Sequence, residues 1–291
     1  MSTVAAGIEA VPPRRRSPAW TAVRRNPTIA VGASILGVLV LMAVFAPLIA
    51  GDPLAMSPID RLRPPSAEVW FGTDQYGRDV YSRTIYGARV SLTVGIVVAL
   101  AATAIGLVVG LVCGYFRPVD AVVMRVMDGI MAIPSILLAI ALITLTQPGL
   151  RIVMVAIVIP EVPRIVRLVR SVVLSIREQP YVESAIAGGT KGPRLLFRHI
   201  LPNTMAPIIV QASYVCASAM LVEASLSFLG AGVPPEIPSW GNIISQGRSF
   251  FQIAPWSILI PGAFLTVTIL AVNLLGDGLR DRLDPRLARR L

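Results

Sequence analysis

The residues best suited to a chemical role lie in Tyr181–Asn203, a charged and glycine-rich stretch between two long apolar segments. An unsatisfied polar group costs several kcal/mol in hydrocarbon, so this stretch must lie in water or against another protein. Glu183 falls in the first turn of a predicted helix, Val182–Ala187, where a carboxylate complements the helix dipole. The glycines that follow allow a sharp reversal before a second helix, Arg194–Leu201. Together these features predict a bent helical elbow on which an exposed acid can bind a soluble partner.

The rest of the sequence offers little catalytic chemistry. It has a single histidine, His199, no metal-binding spacing of cysteine and histidine, and no GxSxG motif. The run GGTKG lacks the spacing of a phosphate-binding loop, and no predicted strand precedes it. Cys113 and Cys216 both lie in apolar segments and are interpreted as small buried hydrophobic residues. We therefore expect a non-catalytic chain that binds no cofactor or metal, with any ATP hydrolysis on another polypeptide.

Composition identifies the chain as a membrane protein. Of its 291 residues, 55% are hydrophobic and 14% are charged, whereas a soluble domain carries about 25% charged residues. A bilayer core of about 30 Å requires about 20 apolar residues per helix. Six segments satisfy this requirement and predict an all-α polytopic fold: Thr28–Ala50, Val90–Phe116, Val122–Thr146, Leu150–Leu174, Thr204–Leu229 and Ala254–Leu275.

The distribution of positive charge predicts the orientation. With the N-terminus in the cytoplasm, 19 of the 26 basic residues fall on the cytoplasmic side and seven fall outside, as the positive-inside rule requires. This dispersed charge indicates membrane orientation and contact with anionic lipid rather than nucleic-acid binding. The predicted organisation is a cytoplasmic tail (1–27), a first transmembrane helix (28–50), an extracytoplasmic loop (51–89), a core of five transmembrane helices (90–279) that contains residues 181–203, and a cytoplasmic tail (280–291).

Polar residues in or near the spans are candidates for a translocation path or for contacts between subunits, because charged groups inside a membrane are costly and usually face a cavity or a partner. These candidates are Asp128, Glu161, Glu223 and Asn273. Glu161 lies between Pro160 and Pro163, which predict a broken or kinked helix. Its expected partner is Arg164 or Arg167, about one helical turn further along the chain.

Two patterns leave alternatives open. Glu223 has no obvious partner in the sequence, so it is either an acid that lines a cavity or subunit interface, or a satisfied structural acid near the outer interface. Gly106, Gly110 and Gly114 share one face of the second span, where another backbone can approach closely. That backbone belongs either to another helix of this chain or to a second membrane subunit.

At Tyr181–Asn203 the chain resembles the permease subunits of ABC importers. Their shared motif is Glu-Ala-Ala, three residues, Gly, and a later group such as Ile-Leu-Pro. Here the motif is formed by Glu183, Ser184, Ala185, Gly189, Ile200, Leu201 and Pro202. Ser184 replaces the usual alanine, and one small residue for another should preserve docking. Because the resemblance implies a mechanical role, Tyr181–Asn203 is called the coupling segment below.

Further stretches resemble one branch of this family, the C-type permeases of dipeptide, oligopeptide and nickel importers. The matching stretches are residues 71–92, 124–142, 223–241 and 273–286. This resemblance implies the fold of type I importers, a second homologous membrane subunit, and two ATPase subunits that each receive one coupling segment. By position, it assigns the coupling role to Glu183, Ala185 and Gly189. It also implies that ATP-driven closure of the ATPases produces alternating access in the membrane subunits.

The resemblance also implies an extracytoplasmic solute-binding protein, and two outer segments are candidates to contact it or to shape an outer gate. Their candidate residues are Asp74, Arg78, Asp79, Pro238 and Trp240. For Trp240 the alternative is an anchor at the membrane interface. The segment Arg78–Ser91 has the pattern of a helix that lies in the interface.

The leading hypothesis is therefore a peptide importer permease, and the runner-up for the cargo is nickel or a nickel chelate. A secondary transporter that works without ATP is an alternative of a different class, and a membrane scaffold without transport is another. The secondary-transporter hypothesis predicts ion-coupled uptake and gives the coupling segment no role.

Overall fold

The computed structural model describes residues 27–146, 149–190 and 192–283. The predicted N-terminal tail, Lys191 and most of the predicted C-terminal tail lie outside this part of the chain. Within it the regular elements are helices, together with short 3₁₀ turns and a π turn at Leu196–Ile200. The helices are α1 (Pro27–Val44), α2 (Ala46–Ile49), α3 (Val80–Tyr115), α4 (Arg117–Met131), α5 (Ser135–Thr144), α6 (Leu150–Arg177), α7 (Pro180–Ala187), α8 (Gly192–Leu195), α9 (Leu201–Phe228), α10 (Trp240–Gly247) and α11 (Trp256–Leu283).

The long helices agree with the expected membrane architecture. Among the described residues, α1, α3, α9 with the turns before it, and α11 are long and apolar enough to cross a membrane, and the bent pair α4–α5 makes a fifth span if counted as one. Helix α6 has the length, at 28 residues, but it carries more charge than the others. The all-α polytopic fold class predicted from the sequence is confirmed, and the six predicted segments all correspond to helical structure.

Helix α3 begins ten residues before the predicted start of the second span. Asp79 caps it, since its carboxylate accepts hydrogen bonds from the backbone N–H groups of Tyr81 at 3.2 Å and Ser82 at 2.9 Å. Such a cap satisfies donors that the first helical turn leaves free. The expectation of a separate interfacial helix over Arg78–Ser91 is therefore wrong, because residues 80–91 are the first turns of α3.

Proline acts differently in the third and fourth predicted spans. The predicted continuous span Val122–Thr146 is wrong: it is broken before Pro134, and α4 and α5 meet at 87°. A residue that precedes proline is driven away from helical geometry, which explains the break. In α6, by contrast, the helix runs on through Pro160 and Pro163, both of which are buried. Of the predicted break or kink at Glu161, the break is absent, because packing on neighbouring helices offsets the lost backbone hydrogen bonds.

The core is centred on the contact between α3 and α6. A Cβ atom added at Gly106, Gly110 or Gly114 would lie 2.6 Å from the side chain of Ile165, Val169 or Val173, respectively. The glycine face of α3 therefore packs against α6 of the same chain, which is the first of the two alternatives. A smaller apolar cluster surrounds Trp240 on α10 and joins α3, α9 and α11.

We predict that Gly110→Ala destabilises the protein. The new Cβ would lie 2.6 Å from Val169 Cβ and 2.9 Å from the Val166 carbonyl oxygen, and overpacking of this kind costs about 1–3 kcal/mol. Gly129→Ala is the matched control, because nothing lies within 4 Å of the added atom and alanine favours a helix. Thermal unfolding in detergent should show a lower Tm for Gly110→Ala and an unchanged or higher Tm for Gly129→Ala. Equal behaviour of the two variants would contradict close α3–α6 packing.

Candidate functional site

The coupling segment is anchored to the core at three points. Val182 on α7, Leu195 on α8 and Ile200 in the π turn are all buried and belong to the main apolar cluster. Three apolar anchors on three successive elements fix the position of a segment that is otherwise polar and exposed. The coupling segment is therefore held against the helices on which it packs.

The reversal of the elbow depends on Gly189. This residue has φ +87°, a left-handed conformation that favours glycine. The Gly189 N–H donates to the Ile186 carbonyl at 2.9 Å, and the Thr190 N–H donates to the Ala185 carbonyl at 3.0 Å. These two bonds form the Schellman motif that ends many helices. The local sequence thus ends α7 at a defined residue and turns the chain toward α8.

The outer face of the elbow combines an acid with apolar side chains. Glu183 and Ser184 are exposed on α7, and the Ser184 hydroxyl donates to the Pro180 carbonyl at 2.8 Å. On the same coupling segment Tyr181 is 45% exposed, Ile186 50% and Phe197 63%. Large apolar side chains that surround a charged group on an exposed surface are typical of a protein-binding face.

The second half of the elbow continues directly into a long helix. The sequence predicted a boundary at Pro202 and Asn203, but α9 begins at Leu201 with Pro202 in its first turn, where proline is tolerated. The π turn Leu196–Ile200 forms the junction between α8 and α9. Helical distortions of this kind are frequent at functional sites. The boundary prediction is wrong because the π turn, and not a loop, carries the chain from the elbow into α9.

Most of the charged residues proposed for a path make ion pairs within the chain. Arg167 Nη2 donates to Asp128 Oδ1 at 2.6 Å, which joins α6 to α4. Arg170, one turn further along α6, pairs with Asp120, about two turns earlier on α4. These pairs hold α4, which has no buried residue of its own, against α6.

The remaining path candidates lie at different depths in the fold. Glu161 Oε1 accepts from Arg164 Nη1 and from the hydroxyl of Ser218, each at 3.3 Å, so its partner is the first of the two arginines that the sequence offered. Asn273 is half-buried on α11. The structure therefore does not bring Asp128, Glu161, Glu223 and Asn273 together around one cavity.

Glu223 is fully buried and links α9 to the start of α10. Its Oε1 accepts hydrogen bonds from Ser227 at 2.9 Å and from Ser239 at 2.7 Å. Ser239 is the N-cap of α10 and also accepts the Asn242 N–H at 3.1 Å. Among the described residues, Oε2 has no hydrogen-bond partner. This arrangement fits the structural interpretation of Glu223 better than a cavity-facing one.

The outer segments form a buried ion-pair cluster instead of an exposed docking face. Asp74 Oδ2 accepts from Arg78 Nε at 2.7 Å and also from Arg83 Nη1. Gln246 on α10 accepts from both arginines, at 2.5 Å from Arg78 Nη2 and 3.1 Å from Arg83 Nη1. We call Asp74, Arg78, Arg83 and Gln246 the outer cluster. It fastens the 51–79 loop to α3 and α10.

The expectation that Asp74, Arg78 and Trp240 are surface contacts is therefore wrong. All three are buried, and Trp240 Nε1 donates to the Thr84 carbonyl at 2.9 Å. The carboxylate of Asp79 caps α3, and Pro238 is half-buried in the loop before α10. The polar and aromatic residues of these segments hold the loops together. The linear sequence alone does not show whether such residues are buried in this way or exposed to a partner.

Sequence reasoning missed Arg83 and Gln246. Arg83 lies nine residues after Asp74 and was counted only as an outside positive charge, whereas Gln246 is 163 positions beyond Arg83. The only available signal was the local spacing of Asp74, Arg78 and Arg83. No rule of local spacing identifies a glutamine so distant in the chain.

Two family models match the sequence. The model described as "Binding-protein-dependent transport system inner membrane component" matches residues 89–289. The model described as "N-terminal TM domain of oligopeptide transport permease C" matches residues 17–65. The first match covers more than half of the chain and includes the whole coupling segment.

Similar proteins and solved structures agree with these matches. The chain is 59% identical to the "Probable peptide ABC transporter permease protein y4tQ" of Sinorhizobium fredii, over 92% of both chains. It is 45% identical to the "Dipeptide transport system permease protein DppC" of Alkalihalophilus pseudofirmus, over 92% of this chain and 89% of the other. An inward-facing structure of the MetNI methionine ABC transporter matches with a TM-score of 0.59 and 20% identity, over 69% of this chain and 96% of that chain, which establishes the fold.

We predict that Asp74→Asn strongly destabilises the protein. The substitution leaves two buried guanidinium groups without their carboxylate, and breaking a buried ion pair in this way costs about 3–5 kcal/mol. The control is Glu68→Gln, whose side chain is 80% exposed. Thermal unfolding in detergent and the amount of folded protein in membranes should fall for Asp74→Asn and stay at the native level for Glu68→Gln. Native stability of Asp74→Asn would rule out a structural role of the outer cluster.

Proposed function

This chain belongs to the family of binding-protein-dependent transport system inner membrane components, and from this membership we propose that it imports peptides as one membrane subunit of an ATP-driven transporter. It is a multi-pass membrane protein and a non-catalytic subunit. The cargo, the partner subunits and the orientation in the membrane are also parts of what we propose.

The relatives support peptides as the cargo. Their names refer to peptides, dipeptides and oligopeptides, and the similarity extends over about nine-tenths of this chain. The runner-up, nickel, requires ligands such as histidine, cysteine or carboxylate grouped around one point. Among the described residues no three such side chains form a group. No observation therefore favours the nickel alternative over peptides.

The observation that carries the ATP-driven mechanism is the geometry of the coupling segment. An exposed acid and three exposed apolar side chains project from an elbow that is anchored by Val182, Leu195 and Ile200. We propose that a cytoplasmic ATPase subunit binds this face, with Glu183 and Ala185 in the contact and Gly189 maintaining the turn. Ile200, Leu201 and Pro202 then connect the docked elbow to α9. A secondary transporter would have no use for such an elbow.

The other partners follow from the same mechanism. We propose a second homologous permease, a second ATPase subunit and an extracytoplasmic solute-binding protein, with both chain termini in the cytoplasm. The large apolar side chains exposed on the spanning helices support contacts with lipid and with a second permease. Asp74 and Arg78 are buried in the outer cluster, so any contact of these loops with the binding protein would be made by other residues, on loops that the cluster holds in a fixed shape.

Reconstitution tests this proposal directly. The chain would be co-expressed with the products of neighbouring genes, purified as a complex and placed in liposomes, with uptake of a labelled dipeptide measured in the presence of the binding protein. We expect uptake that requires ATP and stops when the ATPase subunit is inactivated. Uptake driven by an ion gradient without ATP would establish the secondary-transporter alternative instead. Uptake of nickel without uptake of peptides would establish the runner-up cargo.

We predict that Glu183→Lys abolishes uptake while leaving the protein in the membrane. The substitution reverses the charge at the centre of the proposed ATPase contact, and the exposed side chain contributes little to the fold. Uptake by the reconstituted complex and co-purification of the ATPase measure the effect. Glu236→Lys, at an exposed position in the loop before α10, should leave both unchanged. Native uptake by Glu183→Lys would remove this residue from the coupling contact.

We also predict different effects for the same substitution at two adjacent glycines. Gly189 has φ +87°, where a side chain costs about 1–2 kcal/mol. Gly188 has φ −73°, which any residue adopts. Gly189→Ala should therefore lower the rate of uptake and weaken retention of the ATPase, whereas Gly188→Ala should resemble the native protein. Equal activity of the two variants would show that the left-handed turn is dispensable.

A further inference from the structure

A groove of about 630 Å³ opens beside the N-terminal half of α9. Its wall includes Asn203, Ala206, Gln211 and Tyr214 of α9, Arg280 of α11 and Leu168 of α6, and its other four lining residues are apolar. The volume lies within the range of about 300–1,000 Å³ that is usual for small-molecule sites. We call this feature the α9 groove.

The α9 groove uses one face of the helix. Its α9 residues include two rows with four-residue spacing, Asn203–Pro207–Gln211 and Ala206–Val210–Tyr214, which lie side by side on one face of the helix. The face that includes Thr204, Ile208 and Val215 is buried in the core. Met205 and Ile209 lie on a third face and are exposed apolar side chains. The helix therefore has separate faces for the core, for an apolar environment and for the groove.

The chemistry of the α9 groove differs from that of a lipid-facing surface. Asn203 donates its Nδ2 to the His199 carbonyl at 2.7 Å, which leaves its Oδ1 as an acceptor. The Gln211 amide makes no hydrogen bond within the described residues. Polar side chains in a spanning helix are expected to face a cavity or a polar partner, because acyl chains offer no hydrogen bonds. The two amides therefore suit an occupant with donors and acceptors.

Neutral amides are suited to the main chain of a peptide. Each peptide bond carries one donor and one acceptor, and a side-chain amide can bond to either without regard to sequence. Arg280 is the only charged residue among those that line the wall, and one further carboxylate, that of Asp277, accepts from the hydroxyl of the lining residue Tyr214. This composition is compatible with a peptide and its terminal carboxylate, and it is poorly suited to a bare metal cation.

The α9 groove is joined to the coupling segment by the chain itself. Pro202 and Asn203, the last two residues of the coupling segment, are also part of the groove wall. Helix α9 follows directly from the π turn Leu196–Ile200. A displacement of the elbow must therefore move one wall of the groove, without any intermediate element.

We propose that the α9 groove is the section of the translocation path that contacts the peptide on the side of the coupling segment. Gln211 and Asn203 bond to its main chain, and the coupling segment widens or narrows the groove by moving α9. The inference rests on the proposed import function. It assigns the path to residues other than Asp128, Glu161 and Glu223, whose carboxylates already have partners within the chain.

The test compares Gln211 with Ile209, its neighbour on the apolar face of α9. Gln211→Cys and Ile209→Cys are each made in a chain with Cys113→Ala and Cys216→Ala, and the complete transporter is reconstituted in liposomes. A charged, membrane-impermeant thiol reagent is then applied from the side of the coupling segment. We expect rapid labelling and loss of dipeptide uptake for Gln211→Cys, and slow labelling with retained uptake for Ile209→Cys. Excess dipeptide on the same side should slow only the labelling of Gln211→Cys.

Several outcomes would overturn the inference. Labelling of Gln211→Cys that is no faster than that of Ile209→Cys would mean that lipid or another subunit covers the groove. Labelling without loss of uptake would place the groove outside the path. Gln211→Leu in the native background is a second test, because it removes the amide and preserves the side-chain volume. We expect loss of dipeptide uptake with normal ATP hydrolysis. Native uptake would overturn the inference. ATP-driven dipeptide uptake by the native complex, measured in parallel, separates these results from a failure of the proposed function.

Discussion

The contact between α3 and α6 is the interaction on which the rest of the structure depends. Three glycines spaced by four residues bring the two helices so close that isoleucine and valine side chains of α6 lie directly on the α3 backbone. Apolar burial contributes little to helix association in lipid, so close packing of this kind must supply much of the attraction. At the end of the contact, Arg177 Nη1 donates to the Gly114 carbonyl at 2.9 Å and closes the C-terminus of α3.

Helix α6 then determines the positions of its neighbours. Its arginines pair with acids of α4, and its C-terminus leads directly to the coupling segment. Because these ion pairs are made within the chain, the charged residues in them need no partner from another subunit. The ion pairs also leave the path that we propose along α9 lined mainly by neutral groups. A neutral lining is suited to a cargo that must be released after it has been bound, because buried charges bind their partners strongly.

Polar residues are buried at one end of the molecule and exposed at the other. At the end opposite the coupling segment, the outer cluster joins elements that are distant in sequence, and Glu223 with Ser239 secures the start of α10. These buried networks favour a rigid body. At the coupling segment the polar residues are exposed, and only three apolar side chains hold the elbow in place. The elbow is therefore suited to receive a partner, while the outer loops are suited to keep their shape.

Much of the fold was available from the sequence alone, because it depends on local physical chemistry. Apolar length predicted helical structure at all six segments and their approximate positions, and the glycine at position 189 predicted a turn that the structure shows at φ +87°. The order of Glu183, Gly189 and Ile200-Leu201-Pro202 was enough to identify the family. The sequence also predicted the pairing of Glu161 with an arginine one turn away, since that contact is made within one helix.

Tertiary structure alone decided which polar residues are exposed and which helices bend. Asp74, Arg78 and Trp240 have the composition of a docking face, but all three are buried. Arg78 bonds to Gln246 and Trp240 bonds to Thr84, each more than 150 residues away, and Asp74 is buried with Arg78 as its ion-pair partner. Pro134 breaks a helix whereas Pro160 and Pro163 do not, because only the latter two are enclosed by neighbouring helices. The α9 groove likewise needs α6 and α11 to form its sides. A linear sequence records the types of residue, and the distances between remote segments are set only when the helices pack.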